Sequence, residues 1–411
     1  MLTNQLQKPR PKKTISVFAF QLCVIANNIF GSDTQLFTIS KLVMLAFFGI
    51  MALGILFKGG RFRLGKNVLL PIMFTLYSAL SIVWSYSANT ATTQFVTQVQ
   101  LFMLLIFTYL VMMEGGTIKD YLDAVYISGF GMVVFAMVKY GGLENYIAVM
   151  EEGERMGEEI ANQNTYGMLF ANASLCAAYY MLIQKKKKHI FSIILFAFFA
   201  LSSGSKKATA LIVVGVLCIS AISFGIKRIY KTIIAGAVIL VAAWYVLQLP
   251  IFETVNERLQ SFLSGELNVS DRKRMHMVEY GLELFKFRPF FGYGLNNFRV
   301  LYIERFQSHN NYVELLVSGG VVGLVLYYLM HLYPICIFLF GKNRKRILKN
   351  DMYLMLFMWL GVELVFGTGM VQFYGKNAWI LIGVALAMAD RSYIDMAETE
   401  VEAMETGGSI E

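Results

Sequence analysis

Two kinds of group in this chain could do chemistry: cations in stretches that otherwise lack them, and one histidine set among amides. Lys206 and Lys207 open an apolar run in Ser-Gly-Ser-Lys-Lys-Ala-Thr-Ala, Arg155 lies in EEGERMGEEIANQNTYG, and Arg272, Lys273 and Arg274 crowd beside a single aspartate, Asp271. His309 follows Ser308 and precedes Asn310 and Asn311, with Glu314 about one helical turn deeper. Clustered cations suit an anion such as a phosphate, and the small residues Ser202 to Ser205 would let backbone N–H groups at a helix start approach it. An imidazole oriented by a carboxylate or amide suits a general base. Plainer uses compete at every position. Lys206 and Lys207 could snorkel from a helix end. Arg155 could pair with Glu151, Glu152, Glu158 or Glu159. The basic triplet could meet lipid headgroups, and His309 could be an ordinary satisfied polar residue.

The elements that must hold these groups follow from pattern. Met277, Val278, Leu282 and Phe285 recur at helical spacing after the basic triplet, Pro289 should stop that helix, and Pro-Phe-Phe-Gly-Tyr-Gly forces a turn. A new apolar segment begins just after His309, which places this residue at a membrane boundary. The chain as a whole is 57% hydrophobic and only 15% charged over 411 residues, with a mean hydropathy of +0.56, which excludes a soluble globule. A bilayer core needs about 20 apolar residues per helix. That length predicts spans near 14–30, 36–57, 67–86, 94–113, 119–140, 163–183, 189–204, 208–226, 231–249, 312–333, 352–372 and 376–390.

Charge fixes the orientation. Lys8, Arg10, Lys12 and Lys13 precede the first span, and further basic groups occupy three connections (Lys58 to Lys66, Lys185 to Lys188, Lys227 to Lys231) and a fourth, Lys342 to Lys349. Twelve spans put all of these on the cytoplasmic side, in line with the positive-inside rule, which also makes nucleic-acid binding a poor account of the net charge of +9. The first span lacks a small-residue cleavage site and is kept as an anchor. The chain then divides into 1–249 with spans one to nine, a long extracytoplasmic loop 250–311, spans ten to twelve in 312–390, and an acidic, disordered cytoplasmic tail 391–411. Cys23, Cys176, Cys218 and Cys336 all fall in apolar runs and read as buried free thiols, and Lys41 with Glu363 is a candidate structural pair. No Asp-x-Asp pair, His/Cys cluster or Walker loop points to a metal, and no cofactor is expected.

Arg274, then Pro289-x-x-Gly292-x-Gly294 fifteen positions on, then His309-Asn310 and a span with paired Gly319 and Gly320, resembles the O-antigen ligase/polymerase family of bacterial membrane glycosyltransferases. The resemblance covers the chain directly from Asn162 onward, where Asn162-Gln163-Asn164 is similar to the family's Asn-x-Asn lead-in to a span. It departs at Lys206-Lys207, where the family carries arginine after Gly-Ser, so charge is kept but a bidentate grip on phosphate is not.

The resemblance implies an all-α, GT-C-like polytopic membrane protein of about twelve transmembrane helices in the bacterial inner membrane, with its site on the outer face and both termini cytoplasmic. It implies a donor carried on a polyprenyl diphosphate such as undecaprenyl diphosphate. His309 would be the catalytic base, supported by Asn310 and Glu314, and Arg274, Lys206, Lys207, Arg272 and Arg155 would hold the diphosphate. Within the family a capsular or exopolysaccharide repeat-unit polymerase, working with a chain-length regulator, is preferred. The alternatives are a ligase acting on lipid A core, a protein oligosaccharyltransferase, or a non-catalytic flippase. A flippase would line a midplane path with charge, and no internal repeat of the transporter kind is visible.

Overall fold

Within a bilayer a chain must satisfy its backbone polar groups inside each segment, which leaves helices or closed barrels. In the computed structural model this chain chooses helices, with no strand among the described residues. The structure describes residues 14–405 except 34, 58–63, 226–227, 254–255, 258–259, 261–263, 265–268 and 343. Lys8, Arg10, Lys12, Lys13, Lys58, Arg61, Arg63 and Lys227 of the charge pattern, part of the 250–311 loop, and the end of the acidic tail, 406–411, lie outside the described residues.

The helices, in chain order, are α1 Ile15–Phe30, α2 Phe37–Phe57, α3 Leu69–Leu80, α4 Ala88–Met113, α5 Ile118–Tyr140, α6 Leu143–Glu151, α7 Gln163–Leu182 and α8 Ile190–Ser202. They continue with α9 Lys206–Phe224, α10 Ile229–Leu247, α11 Val269–Phe287, α12 Phe298–Leu301, α13 Asn311–Phe340, α14 Arg344–Ile347, α15 Asp351–Phe366 and α16 Lys376–Glu405. Every expected span falls on one of them. Among the described residues α2, α4, α5, α9 and α13 are long and apolar enough to cross a membrane. Leu42, Leu45, Leu53 and Leu56 of α2 and Ile233, Val238 and Trp244 of α10 are exposed, an outward apolar surface that suits lipid rather than water. The protein is an all-helical polytopic membrane protein.

The last expected span is the most interior. From Ala378 to Ala389 the side chains of α16 are almost wholly buried, because a helix apolar on all sides can only sit inside a bundle. It packs on α4, where Gly383 comes so close that a Cβ would stand 2.8 Å from the Leu105 carbonyl. α16 continues past the expected span, through residues rich in the strong helix formers Ala, Met and Glu, to Glu405. Two smaller expectations change. Cys218 is only half-buried and Cys336 is exposed, and Lys41 lies over the Phe37 ring at 4.4 Å instead of pairing with Glu363.

The feature that organises the end of the bundle around His309 is a break in α13. Gly320 adopts φ 60°, ψ −164° inside the helix, so the local ladder of hydrogen bonds is interrupted. The Pro-x-x-Gly-x-Gly turn repairs it. Tyr293 and Gly294 donate their N–H groups to the Val317 and Ser318 carbonyls at 2.8 and 2.9 Å, and Val321 donates to the Pro289 carbonyl at 2.8 Å. The fit requires glycine on both sides: a Cβ on Gly320 would stand 2.2 Å from the Phe290 carbonyl oxygen, and one on Gly292 would stand 2.6 Å from that of Val317.

The first half of the chain joins this junction. α3 stops at Leu80, short of the expected 86, because the chain beyond it leaves the helix to bond the same turn. Tyr86 donates to the Tyr293 carbonyl at 2.9 Å, Trp84 Nε1 to that of Phe291 at 3.0 Å, and Tyr77 to that of Gly319 at 2.5 Å.

Candidate active site

Asn310 caps α13, its side-chain oxygen accepting the N–H groups of Tyr312 and Val313 at 3.0 and 3.1 Å. Its amide nitrogen donates to the Thr368 carbonyl at 3.0 Å. Asn311, 1% exposed, accepts from the Gln372 and Phe373 N–H groups at 2.8 and 3.0 Å, so the two asparagines tie the loop after α15 to the start of α13. Neither amide contacts the imidazole, as the sequence reading expected of Asn310.

Glu314 also acts one step removed. Fully buried, it accepts the Ser308 N–H at 2.8 Å, while Ser308 Oγ donates to the Asn310 carbonyl at 2.8 Å. These bonds hold the residue between them, His309, at φ 54°, a left-handed conformation uncommon for a residue with a Cβ. The imidazole stands exposed, with no hydrogen bond to any described residue, and faces an open cavity of about 270 Å³. Protein crowding the ring, then the charges of Arg274, Lys207 and Lys273, push its pKa below the ordinary imidazole value. The neutral form is therefore favoured.

The cations gather around the same cavity from three other elements. Arg274 projects into it from α11, a helix that lies over the start of α13 because Gly281, Met277, Phe298 and Val313 pack together there. Asp271, one turn earlier, stands 3.8 Å from Arg274 and 3.3 Å from Lys206, linking α11 to the start of α9. Lys207 donates to the carbonyl of Gly369, itself a lining residue.

Arg155 reaches this group from behind. Its Nε donates to the Ser203 carbonyl at 2.9 Å and a guanidinium nitrogen lies 3.4 Å from Asn164 Oδ1. At the expected phosphate cradle, two of the backbone donors between Ser202 and Ser205 are engaged locally. Gly204 N–H is bonded to the Leu201 carbonyl and Ser205 N–H to Ser203 Oγ, so these donors are already used. What the small residues provide is room, since a Cβ on Gly204 would come within 3.0 Å of Arg155 Nε. Arg272 is exposed and lies outside the cavity lining, and Lys273 pairs with Glu304 and covers the Phe306 ring at 4.7 Å.

Sequence reasoning missed three lining residues with polar groups: Glu279 on α11, and Thr368 and Gly369 in the loop after α15. Gly367-Thr368-Gly369 between two apolar stretches was a visible signal, but nothing in it named the partner. Glu279 follows Met275 by four positions, one helical turn further along the face that Met275 presents to the cavity.

His309 and Arg274 thus meet at one cavity, with Lys206 and Lys207 beside it. The family model described as O-antigen ligase matches residues 167–328, a stretch holding all four. That match supports a likeness to the O-antigen ligase/polymerase family over this stretch. Members of this O-antigen ligase family are glycosyltransferase-like enzymes, and the family implies a lipid-linked glycan donor and an acceptor in a membrane. Arg155 and the Thr368–Gly369 wall lie outside the matched stretch yet bond directly to it. No curated protein matches the chain.

Proposed function

We propose that the protein is a metal-independent, inverting glycosyltransferase of the bacterial inner membrane. It transfers a glycan from undecaprenyl diphosphate or a related polyprenyl carrier to a sugar hydroxyl on the outer face of the membrane. The observation that carries this reading is the meeting of an unbonded imidazole, His309, with Arg274 at one open cavity, flanked by Lys206 and Lys207.

In the reaction His309 takes the proton of the acceptor hydroxyl as that oxygen attacks the anomeric carbon. The carbon–oxygen bond to the diphosphate breaks from the opposite face, which inverts the anomeric centre. Arg274, Lys206 and Lys207 hold the charge that develops on the departing diphosphate. Arg155 positions the Lys206–Lys207 turn through Ser203, and Arg272 adds long-range attraction from the exposed side of α11. Asn310 and Glu314 fix the backbone on both sides of His309. We take the physiological reaction to be repeat-unit polymerisation in surface polysaccharide synthesis, with a chain-length regulator as partner.

Binding of undecaprenyl diphosphate to the purified protein tests the anion site. Wild type should bind it, and a variant with Ala at positions 206, 207 and 274 should not. Equal binding by both would remove the site from this position.

A further inference from the structure

Charge is not uniform along the cavity. The wall supplied by α11 presents Arg274 and Met275, then one turn later Val278 and Glu279. Five residues of helix separate the guanidinium and carboxylate positions by roughly 7.5 Å along the axis. Ser308 and His309 line the cavity together with Thr368 and Gly369, and Lys207 is bonded to Gly369. The carboxylate is exposed and belongs to none of the ion pairs that link Asp271 to Lys206 and Arg274.

A carboxylate repels a diphosphate, so it does not extend the donor site. It is acceptor-only in its ionised form and takes hydrogen bonds from hydroxyl groups more strongly than a neutral partner does. Met275 and Val278 beside it offer an apolar surface of the kind the C–H face of a sugar ring can cover. We infer that Glu279 binds the hydroxyl groups of the acceptor sugar. Donor and acceptor are then sorted by charge along the cavity wall that α11 supplies, diphosphate toward Arg274 and polyhydroxyl acceptor toward Glu279, with His309 on the same cavity. The chemical class selected is a neutral sugar at the acceptor terminus, and a uronic acid there is disfavoured by the like charge.

This inference rests on the donor-site reading above, and the experiment separates the two. Wild type, Glu279→Ala, Glu279→Gln and Arg274→Ala are placed in nanodiscs. Binding of undecaprenyl diphosphate is measured, then transfer from the undecaprenyl-diphosphate-linked repeat unit to the free repeat oligosaccharide blocked at its reducing end. Glu279→Ala should raise the acceptor KM by about 10–100-fold, the loss of charged hydrogen bonds, with kcat at saturating acceptor little changed. Glu279→Gln should fall between, since its amide keeps one acceptor oxygen. Carrier binding should be unchanged or tighter in both, and lost only in Arg274→Ala. An unchanged acceptor KM in Glu279→Ala, with wild-type carrier binding intact, overturns the acceptor role alone. Weakened carrier binding in Glu279→Ala overturns it too. Failure of wild type to bind the carrier overturns the donor reading and this one with it.

Discussion

The buried carboxylate of Glu314 accepts the backbone N–H of Ser308 at 2.8 Å, one residue before His309. A group inside the start of a span thereby fixes the conformation of a residue at its boundary, and the histidine ring needs no hydrogen bond of its own to be held in place. Glu314→Ala should lower the rate of transfer about 10-fold or more while carrier binding stays near wild type, because the base is misplaced and the cations are not. Glu314→Gln should retain much of the rate, since its amide oxygen can still accept from Ser308. Steady-state kinetics on the pair, with carrier binding as control, checks this. Equal loss in both would assign the effect to the charge instead of the hydrogen bond.

The junction between the glycine turn and the break in α13 carries a steric prediction. Gly320→Ala and Gly292→Ala each force a Cβ against backbone at a positive φ, which costs about 1–3 kcal/mol in conformation before the overlap is counted. Both should lower the midpoint of thermal unfolding in detergent, whereas Gly361→Ala, where the added carbon meets nothing within 4 Å, should not.

That junction also marks how far the sequence could be read. Apolar length predicted the five helices that, among the described residues, are long and apolar enough to cross a membrane, because a run of twenty or so apolar residues leaves a strong local signal. Pro289, Gly292, Gly294, Gly319 and Gly320 were recognisable as a set, but their reason was not: the turn replaces hydrogen bonds that a helix thirty residues later lacks, a long-range pairing with no periodicity. Tyr77, Trp84 and Tyr86 were invisible for the same cause, since they serve the junction from the far end of the chain. At the site, His309, Arg274, Lys206 and Lys207 stood out by charge against an apolar background. Glu279 did not, being one carboxylate on an amphipathic helix, and the donors at Ser202 to Ser205 looked free until their local bonds were seen.

The pH dependence has a definite sign. Crowding around the ring and the nearby charges of Arg274, Lys207 and Lys273 lower the pKa of His309, so its neutral form is reached at a lower pH than usual. Activity should rise with pH on a limb centred below about 6.5, the unperturbed imidazole value. Lys273→Gln removes one positive charge outside the cavity lining, and the limb should move up in pH. A profile of kcat/KM against pH for the two proteins decides it; a downward shift contradicts the assignment.

At the proposed diphosphate site, Arg274→Lys should keep part of the activity that Arg274→Ala loses, because charge persists while the planar fork does not. Lys206→Arg should be tolerated. Treatment with EDTA should leave the rate unchanged, since in the proposed reaction Arg274, Lys206 and Lys207 neutralise the diphosphate in place of a metal.

Topology underlies the outer-face assignment. A reporter fused after Pro250 should be active outside and one fused after Lys345 inside; both on one side would contradict the twelve-span arrangement.

The most direct test of the central claim compares wild type, His309→Ala and Arg274→Ala in nanodiscs supplied with a lipid-linked repeat unit, measuring carrier binding and polymer formation on the same preparations. A placed proton acceptor is typically worth about 10²–10⁴-fold. His309→Ala should therefore bind the carrier as wild type does and form polymer at a rate lower by that factor, while Arg274→Ala should fail at binding. Polymer made by His309→Ala at the wild-type rate would contradict the account.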